Sequence, residues 1–455
     1  MNGTWQDDFK AMVAGRVPGW LPALRQAGMT RFEREGFPVS RDEEWRFTPI
    51  APITRGVFQP ATSPAAPFPR EKAEALAYGP ESWPQLVFVN GRFAPEISNT
   101  PALPPGVLVL SLAEALARRP ELVEPHLGKH VTVEATPFTA LNAAFIQDGA
   151  FVLVPEGLEL ATPIQLCFVT TGDQHERVTH PRNLIVIGER ARAAIIESYH
   201  GADGRAAGQE DRTGSDGGQP AGPPARQPAY LTNAVTEVVL GAHAWLEHSR
   251  IQRESESAYH IAFSHVHQAR ESHYRSFSLA MGSAISRHNL HTRLGAPETE
   301  ALLYGLSIAE GTQLADHHTA IYHVEPECRS WEVYKAILDG ESRGVFNGKV
   351  FVTPEAQKTD AKQTNRTLLL SERARVDTKP QLEIFADDVK CTHGATVGYL
   401  DDLPLFYFRS RGLPEDRARK LLTYAFAAEV LDEIQVPEVR RALDSIVRTR
   451  LGVSA

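Results

Sequence analysis

Two residues in one short run could do chemistry together. Cys391 and His393 stand two apart in "ADDVKCTHGATVGYLDD", residues 386–402, between acidic pairs and ahead of Gly394 and Gly398. On a strand, alternate side chains share a face, so Val389, Cys391 and His393 would point one way and Lys390 and Thr392 the other. A thiolate beside a neutral imidazole suits a soft or borderline metal. Lys390 or a nearby imidazolium would favour the thiolate. Two ligands leave coordination incomplete. A useful centre therefore needs donors from a second chain or from the cluster it holds. The plainer reading of the same residues is a half-buried cysteine and a histidine that caps a turn.

Other chemistry is harder to support. "RGVFNGKV" (343–350) has three residues between Gly344 and Gly348, and Val350 stands where a phosphate loop needs Ser or Thr. A tight turn before a strand "KVFV" is expected instead, with no ATP hydrolysis by this chain alone. Eleven histidines fall between residues 230 and 330, among them His265 and His267 on one prospective strand face. They could bind metal, but are expected mainly to line polar faces, cross-strand from one another. No HExxH and no G-x-S-x-G occurs. Carboxylates are plentiful without a pattern that marks a glycosidase acid and nucleophile.

Bulk properties narrow the classes. The chain has 455 residues, 42% hydrophobic and 23% charged, with a formal net charge of −9. That balance argues against a surface built to hold nucleic acid or an anionic membrane. No apolar run approaches the ~18 residues that span a bilayer. The acidic start "MNGTWQDDFKAMVAG" does not resemble a signal or transit peptide. The cysteines are three, Cys167, Cys328 and Cys391, far apart and without a CxxC. A disulfide framework is not expected, and a reducing cytoplasm is.

The elements that must position Cys391 and His393 read as follows. Residues 1–70 form an N-terminal helical region and linker, and 71–149 a mixed lead-in with an Asn90-Gly91 turn. From 150 to 405, strand-like runs follow one another with a cadence of about 20–30 residues, the range in which solenoids repeat. A sandwich of that size should show more hairpin signals, so a parallel β-helix is favoured. Its two ends need covers, and the flanking helical regions are the candidates. Residues 201–229, rich in Gly and Pro and without Val, Ile or Leu, are expected to be a disordered insertion. Residues 406–455 are helical: Pro414, Glu415 and Asp416 suit a helix start, and Ala418, Leu421, Leu422, Ala425, Phe426 and Val430 make an apolar stripe. These helices pack on the solenoid or carry a docking surface.

"KTDAKQTNRTLLLSERARVDTKPQLEIFADDVKCTHGATVG" and "FYFRSRGL", with the upstream "RDEEWRFTPI" and "ALNAAFIQDGAFVLVP", resemble the SufB/SufD family of the SUF iron–sulfur cluster assembly system, the SufD branch more closely. The resemblance covers most of the chain outside 201–229. It implies a right-handed parallel β-helix flanked by helical regions. It implies a non-enzymatic scaffold that works with SufB through the β-helix and with the SufC ATPase through the C-terminal helices, or forms a homodimer when isolated. His393, with Cys391 as an accessory, would then hold iron or a nascent cluster shared with SufB. Arg409, Arg411, Leu421, Tyr424 and Phe426 would belong to the SufC-docking region. No tightly bound cofactor is implied, and no dinucleotide fingerprint supports a flavin. A β-helical carbohydrate-active enzyme and a purely structural solenoid adaptor are the alternative readings.

Overall fold

The computed structural model describes residues 3–12, 18–60, 68–171, 176–201 and 230–453. The insertion expected at 201–229 thus lies, apart from Gly201, outside the described residues.

The chain winds between two facing sheets, laying one strand in each per coil. In one sheet the last six strands are Tyr230–Leu240, Tyr259–Gln268, Ile285–Leu294, Leu314–His323, Arg343–Val352 and Arg375–Ile384, all parallel. Leu231 lies opposite Tyr259, Tyr259 opposite Ile285, Ile285 opposite Leu314, Leu314 opposite Arg343 and Arg343 opposite Arg375, so coils step by 28, 26, 29, 29 and 32 residues. The other sheet stacks Arg192–Gly201, Trp245–Arg253, His273–Ala280, Glu300–Ala309, Arg329–Leu338, Asp360–Leu369 and Lys390–Gly398 in the same way. The expected parallel solenoid is therefore present.

The repeat is also visible in the backbone. Arg190, His243, Glu271, Glu298, Glu327 and Lys358 all have φ between 52° and 62°. Each stands two residues before a strand of the second sheet. The corners of these six coils share this left-handed conformation, which non-glycine residues rarely adopt. It recurs because the coil above fixes the coil below: Glu298 N–H donates to Pro326 O and Glu327 N–H to Gln357 O.

The solenoid starts earlier than residue 150. Gln85–Val89 pairs parallel with Ile164–Thr170, and Asn90 and Gly91 (φ 50° and 76°) turn it into the antiparallel Arg92–Phe93. Leu108–Ser111 closes the other sheet at that end. So the lead-in caps the first coil with short strands.

The helical regions do not cover the ends. The N-terminal segment lies along the outside of the first sheet. Trp45 stacks on the fully buried Arg287 guanidinium at 3.9 Å, and Glu44 meets His318 at 3.3 Å. The C-terminal helices Glu415–Leu431 and Pro437–Arg450 lie along the outside of the second sheet. There Ala427, Val430, Leu431, Val439, Leu443 and Val447 pack on Ile251, Leu279, Leu306 and Ile337. The buried face of the first of these helices is Ala418, Thr423, Ala427, Val430 and Leu431. It is rotated from the expected stripe, and Ala425 is exposed. A further helix, Asp402–Ser410, begins four residues ahead of the expected helical region; Asp401 Oδ1 caps it by accepting from Leu403 N–H at 2.9 Å.

The expected turn in "RGVFNGKV" is absent, because Arg343–Val352 is one unbroken strand. Its Gly348 is there for space. A Cβ there would clash with Gln363 Nε2 on the opposite sheet.

Candidate functional site

Cys391 and His393 lie on Lys390–Gly398, the last strand of the second sheet. Among the described residues no further strand pairs with it, nor with Arg375–Ile384, the last strand of the first sheet. The C-terminal end of the solenoid is uncapped.

The backbone there has a definite polarity. Lys390 N–H donates inward to Thr359 O. In a parallel ladder alternate residues bond to the same side. The N–H groups of Cys391, His393, Ala395 and Val397 therefore face the open edge. In the partner strand Arg375 N–H and Phe385 N–H donate inward, to Ser342 O and Val352 O. That places Pro380 on the outward phase, so its missing N–H costs the solenoid nothing but breaks the outer edge there. The strand with Cys391 and His393 is thus the better template for a strand from another chain.

Side chains at 391 and 393 point between the sheets, as alternation requires. Cys391 is half-buried against Val350, Val352, Ala356, Ala361 and Ala386. Burial pushes its thiol pKa up, and the Asp360 carboxylate adds to this while the Ala361 backbone opposes it. His393 is exposed and in register with Gln363. The two positions are about 7 Å apart along the strand. Among the described residues no three His, Cys, Asp or Glu side chains are grouped to hold a metal. A thiol and an imidazole are donors that iron accepts, but two of them do not complete a centre.

Most of the remaining histidines are interior, and several bond hydroxyls through one ring nitrogen. His288 bonds Ser264 at 3.0 Å, His317 bonds Ser307 at 3.1 Å and His323 bonds Ser330 at 2.9 Å. Their partners are mainly hydroxyls and carboxylates rather than one another. Burial drives the His317 pKa to about 4 and that of His323 to about 3, so both are neutral near pH 7. His265 and His267 share the outer face and lie against His130, with ring centroids 6.1 and 5.0 Å away. Cys167 is buried with its thiol pushed up to about 12, and Cys328 is buried beside Thr299.

Apolar exposure is concentrated near the open end. Nine large hydrophobic residues are exposed among the described residues, and six of them are Phe385, Val397, Tyr399, Leu403, Phe406 and Tyr407. Leu403, Phe406 and Tyr407 belong to the helix Asp402–Ser410, with Leu403 71% and Phe406 69% exposed. Arg411 stacks on the Tyr407 ring at 5.1 Å, and Arg409 pairs with Glu415 at 3.3 Å, both at the surface. Leu421, Tyr424 and Phe426 are only half-exposed. Tyr424 carries Arg448 over its ring at 3.9 Å, and Phe426 carries Lys335 Nζ at 4.5 Å, so both rings are engaged within the chain. Sequence reasoning missed Leu403, Phe406 and Tyr407, although "LPLFYF" at a helix face was the available signal.

Comparison with known proteins decides the family. Residues 168–426 match the SufBD core domain of SUF-system FeS cluster assembly, and residues 5–166 match the SufBD protein N-terminal region. The chain belongs to the SufBD family. It is 36% identical to an iron–sulfur cluster assembly SufBD family protein of Synechocystis, over 97% of this chain and 93% of that one. It is 29% identical to the iron–sulfur cluster assembly protein SufD of Escherichia coli, over 98% and 96%. It is 30% identical to the chloroplastic protein ABCI7 of Arabidopsis thaliana, over 96% and 86%. No helix among the described residues is long and apolar enough to cross a membrane.

Proposed function

We propose that this SufBD protein is a non-enzymatic scaffold subunit for iron–sulfur cluster assembly. It presents half a coordination site on an edge strand. The supporting observation is the uncapped end: exposed His393, and Cys391 beside it, sit on the strand whose outward N–H groups are unpaired within the chain. A SufB-type paralogue would dock its own edge alongside and add the missing donors. A second copy of this chain would occupy the same edge when the protein is isolated. The cluster or iron is the cargo, held transiently, and no resident cofactor is required of this chain alone.

The chain's own residues supply position and polarity. Val350, Val352 and Ala361 hold Cys391 in place. Iron displaces the proton of a thiol ligand and needs a neutral imidazole, so loading weakens as pH falls. The helix Asp402–Ser410 with its exposed Leu403, Phe406 and Tyr407, flanked by Arg409 and Arg411, is the docking face for the SufC-type ATPase. Nucleotide-driven closure of that partner would pull on the C-terminal helices and shift the joined edges. The expected compartment is the cytoplasm, with neither membrane nor nucleic acid as partner.

The test is anaerobic co-purification with the paralogue and the ATPase, followed by visible absorption. His393→Ala should leave the complex intact and abolish its chromophore. A wild-type cluster yield from that complex would refute the site.

A further inference from the structure

Behind His393 the solenoid interior is polar rather than apolar. Glu332 pairs in register with Gln363, and Gln363 with His393, so the three stand in one column across adjacent strands. Glu332 and Gln363 are buried, and Gln363 Nε2 donates to Glu332 Oε2 at 2.7 Å. Two residues along the strand, Asn365 Nδ2 donates to Tyr334 O at 3.2 Å. Both amide nitrogens are therefore used within the protein. Glu332 Oε1, Gln363 Oε1, Asn365 Oδ1 and Thr367 Oγ1, all buried and all on this inner face, have no protein partner. Four such oxygens in two neighbouring strands exceed what a packed interior tolerates without hydrogen-bond donors. Gly348, on the facing strand, leaves the room into which the Gln363 side chain reaches.

We propose that these oxygens line a hydrated passage that opens at His393 and ends on Glu332, and that Glu332 is the internal proton acceptor for metal loading at the edge. The second half rests on the reading of His393 as a ligand. In the step, a thiol S–H of the shared site breaks as its S–Fe bond forms. The proton travels through water to the Glu332 carboxylate, which becomes a carboxylic acid, and no electron changes hands. Along the column Glu332 lies two strand spacings, about 10 Å, from His393.

The groups around Glu332 leave it alone to titrate near neutrality. On its own strand are Ser330 and Tyr334, whose phenol is held well above 10 by burial and by Glu332. The neighbouring strands place Leu303 and Gln363 beside it. The facing strand brings Thr319 to Glu332 and His317 to the Tyr334 ring at 5.0 Å, the imidazole neutral because burial lowers it to about 4. Burial raises Glu332 itself to about 7, against the hydrogen bond from Gln363 and the nearby Thr319 hydroxyl.

Infrared difference spectra of the full chain across neutral pH, wild type against Glu332→Gln, test the passage. A protonated carboxyl band should vanish with a midpoint near 7, be missing from the variant, and shift on mixing with D2O. Gln363→Leu should keep the band but slow its exchange at least roughly tenfold. Gln363→Met is the second plug should the first fail to fold. Identical spectra for wild type and Glu332→Gln, or exchange in wild type as slow as in the plugged variants, would overturn the passage. In the assembled complex Glu332→Gln should slow cluster formation by roughly tenfold to hundredfold and flatten its pH dependence. If His393→Ala stops assembly while Glu332→Gln keeps the wild-type rate and pH profile, the proton-acceptor role is wrong. If His393→Ala assembles normally, the ligand reading fails and the infrared result stands on its own.

Discussion

At the scale of single residues, the solenoid spends stability near its open end. An acid whose folded pKa rises from 4.5 to about 7 favours the native state only while protonated. Glu332 is thus neutral in sign for stability below pH 4.5. It costs progressively more between 4.5 and 7, and levels off above, with a full effect of about 3 kcal/mol. Denaturant titrations should show Glu332→Gln more stable than wild type by roughly that amount at pH 8, and equal to it near pH 4. Parallel curves would show that Glu332 is not perturbed. Gly348→Leu should do the opposite: its side chain meets Gln363 and Phe346, with a cost of about 1–3 kcal/mol. Cys391 and His393 were legible in the sequence because their spacing of two is itself a statement about a strand. Glu332 and Gln363 were not, since 31 positions of chain separate two side chains that touch. No local pattern marks them without the coil length.

At the scale of elements, the C-terminal helices divide their work. Glu415–Leu431 and Pro437–Arg450 bury an apolar face on the second sheet. Asp402–Ser410 leaves its apolar face in solvent. Leu443→Ala, at a fully buried position, should cost about 2–5 kcal/mol in a denaturant melt. Replacing Leu403, Phe406 and Tyr407 together by serine should leave the melt almost unchanged, because exposed substitutions cost little. It should also abolish capture of the ATPase in a pull-down. Undiminished capture would move the docking face elsewhere on the helices. The two long helices were readable from Pro414 with its acids and from Pro437. The short helix was hidden by Pro404 in its first turn, which reads as a breaker but is tolerated where the N–H groups have no helical partner. The rotated stripe has a similar cause. Leu421 and Leu422 are both apolar, yet the helix turns Ala427, Val430 and Leu431 to the sheet and leaves the two leucines half-exposed.

At the scale of the whole molecule, parallel stacking was legible and its termination was not. The cadence of apolar runs gave the coil repeat to within a few residues. The sequence reading also expected covers at both ends, because an open edge invites aggregation. The first coil is indeed closed, by Leu108–Ser111 and by the hairpin at Asn90 and Gly91. The last coil is left open, and the helices lie along the sheets instead. An open edge is retained where a partner fills it. Ala395→Pro removes one outward N–H while the inward ladder of Lys390 and its alternates stays intact. The isolated variant should sediment as a monomer at concentrations where wild type associates, and should fail to capture the paralogue. Unaltered sedimentation and capture would show that the edge is not the interface.

The central claim is that this chain supplies half of a site completed by another chain. Anaerobic iron and sulfide loading of the assembled complex, read by visible absorption and Mössbauer spectra, addresses it most directly. A cluster signal is expected with wild type, none with His393→Ala in an otherwise intact complex, and none from the isolated wild-type monomer. A full signal from the His393→Ala complex, or from the monomer alone, would contradict it.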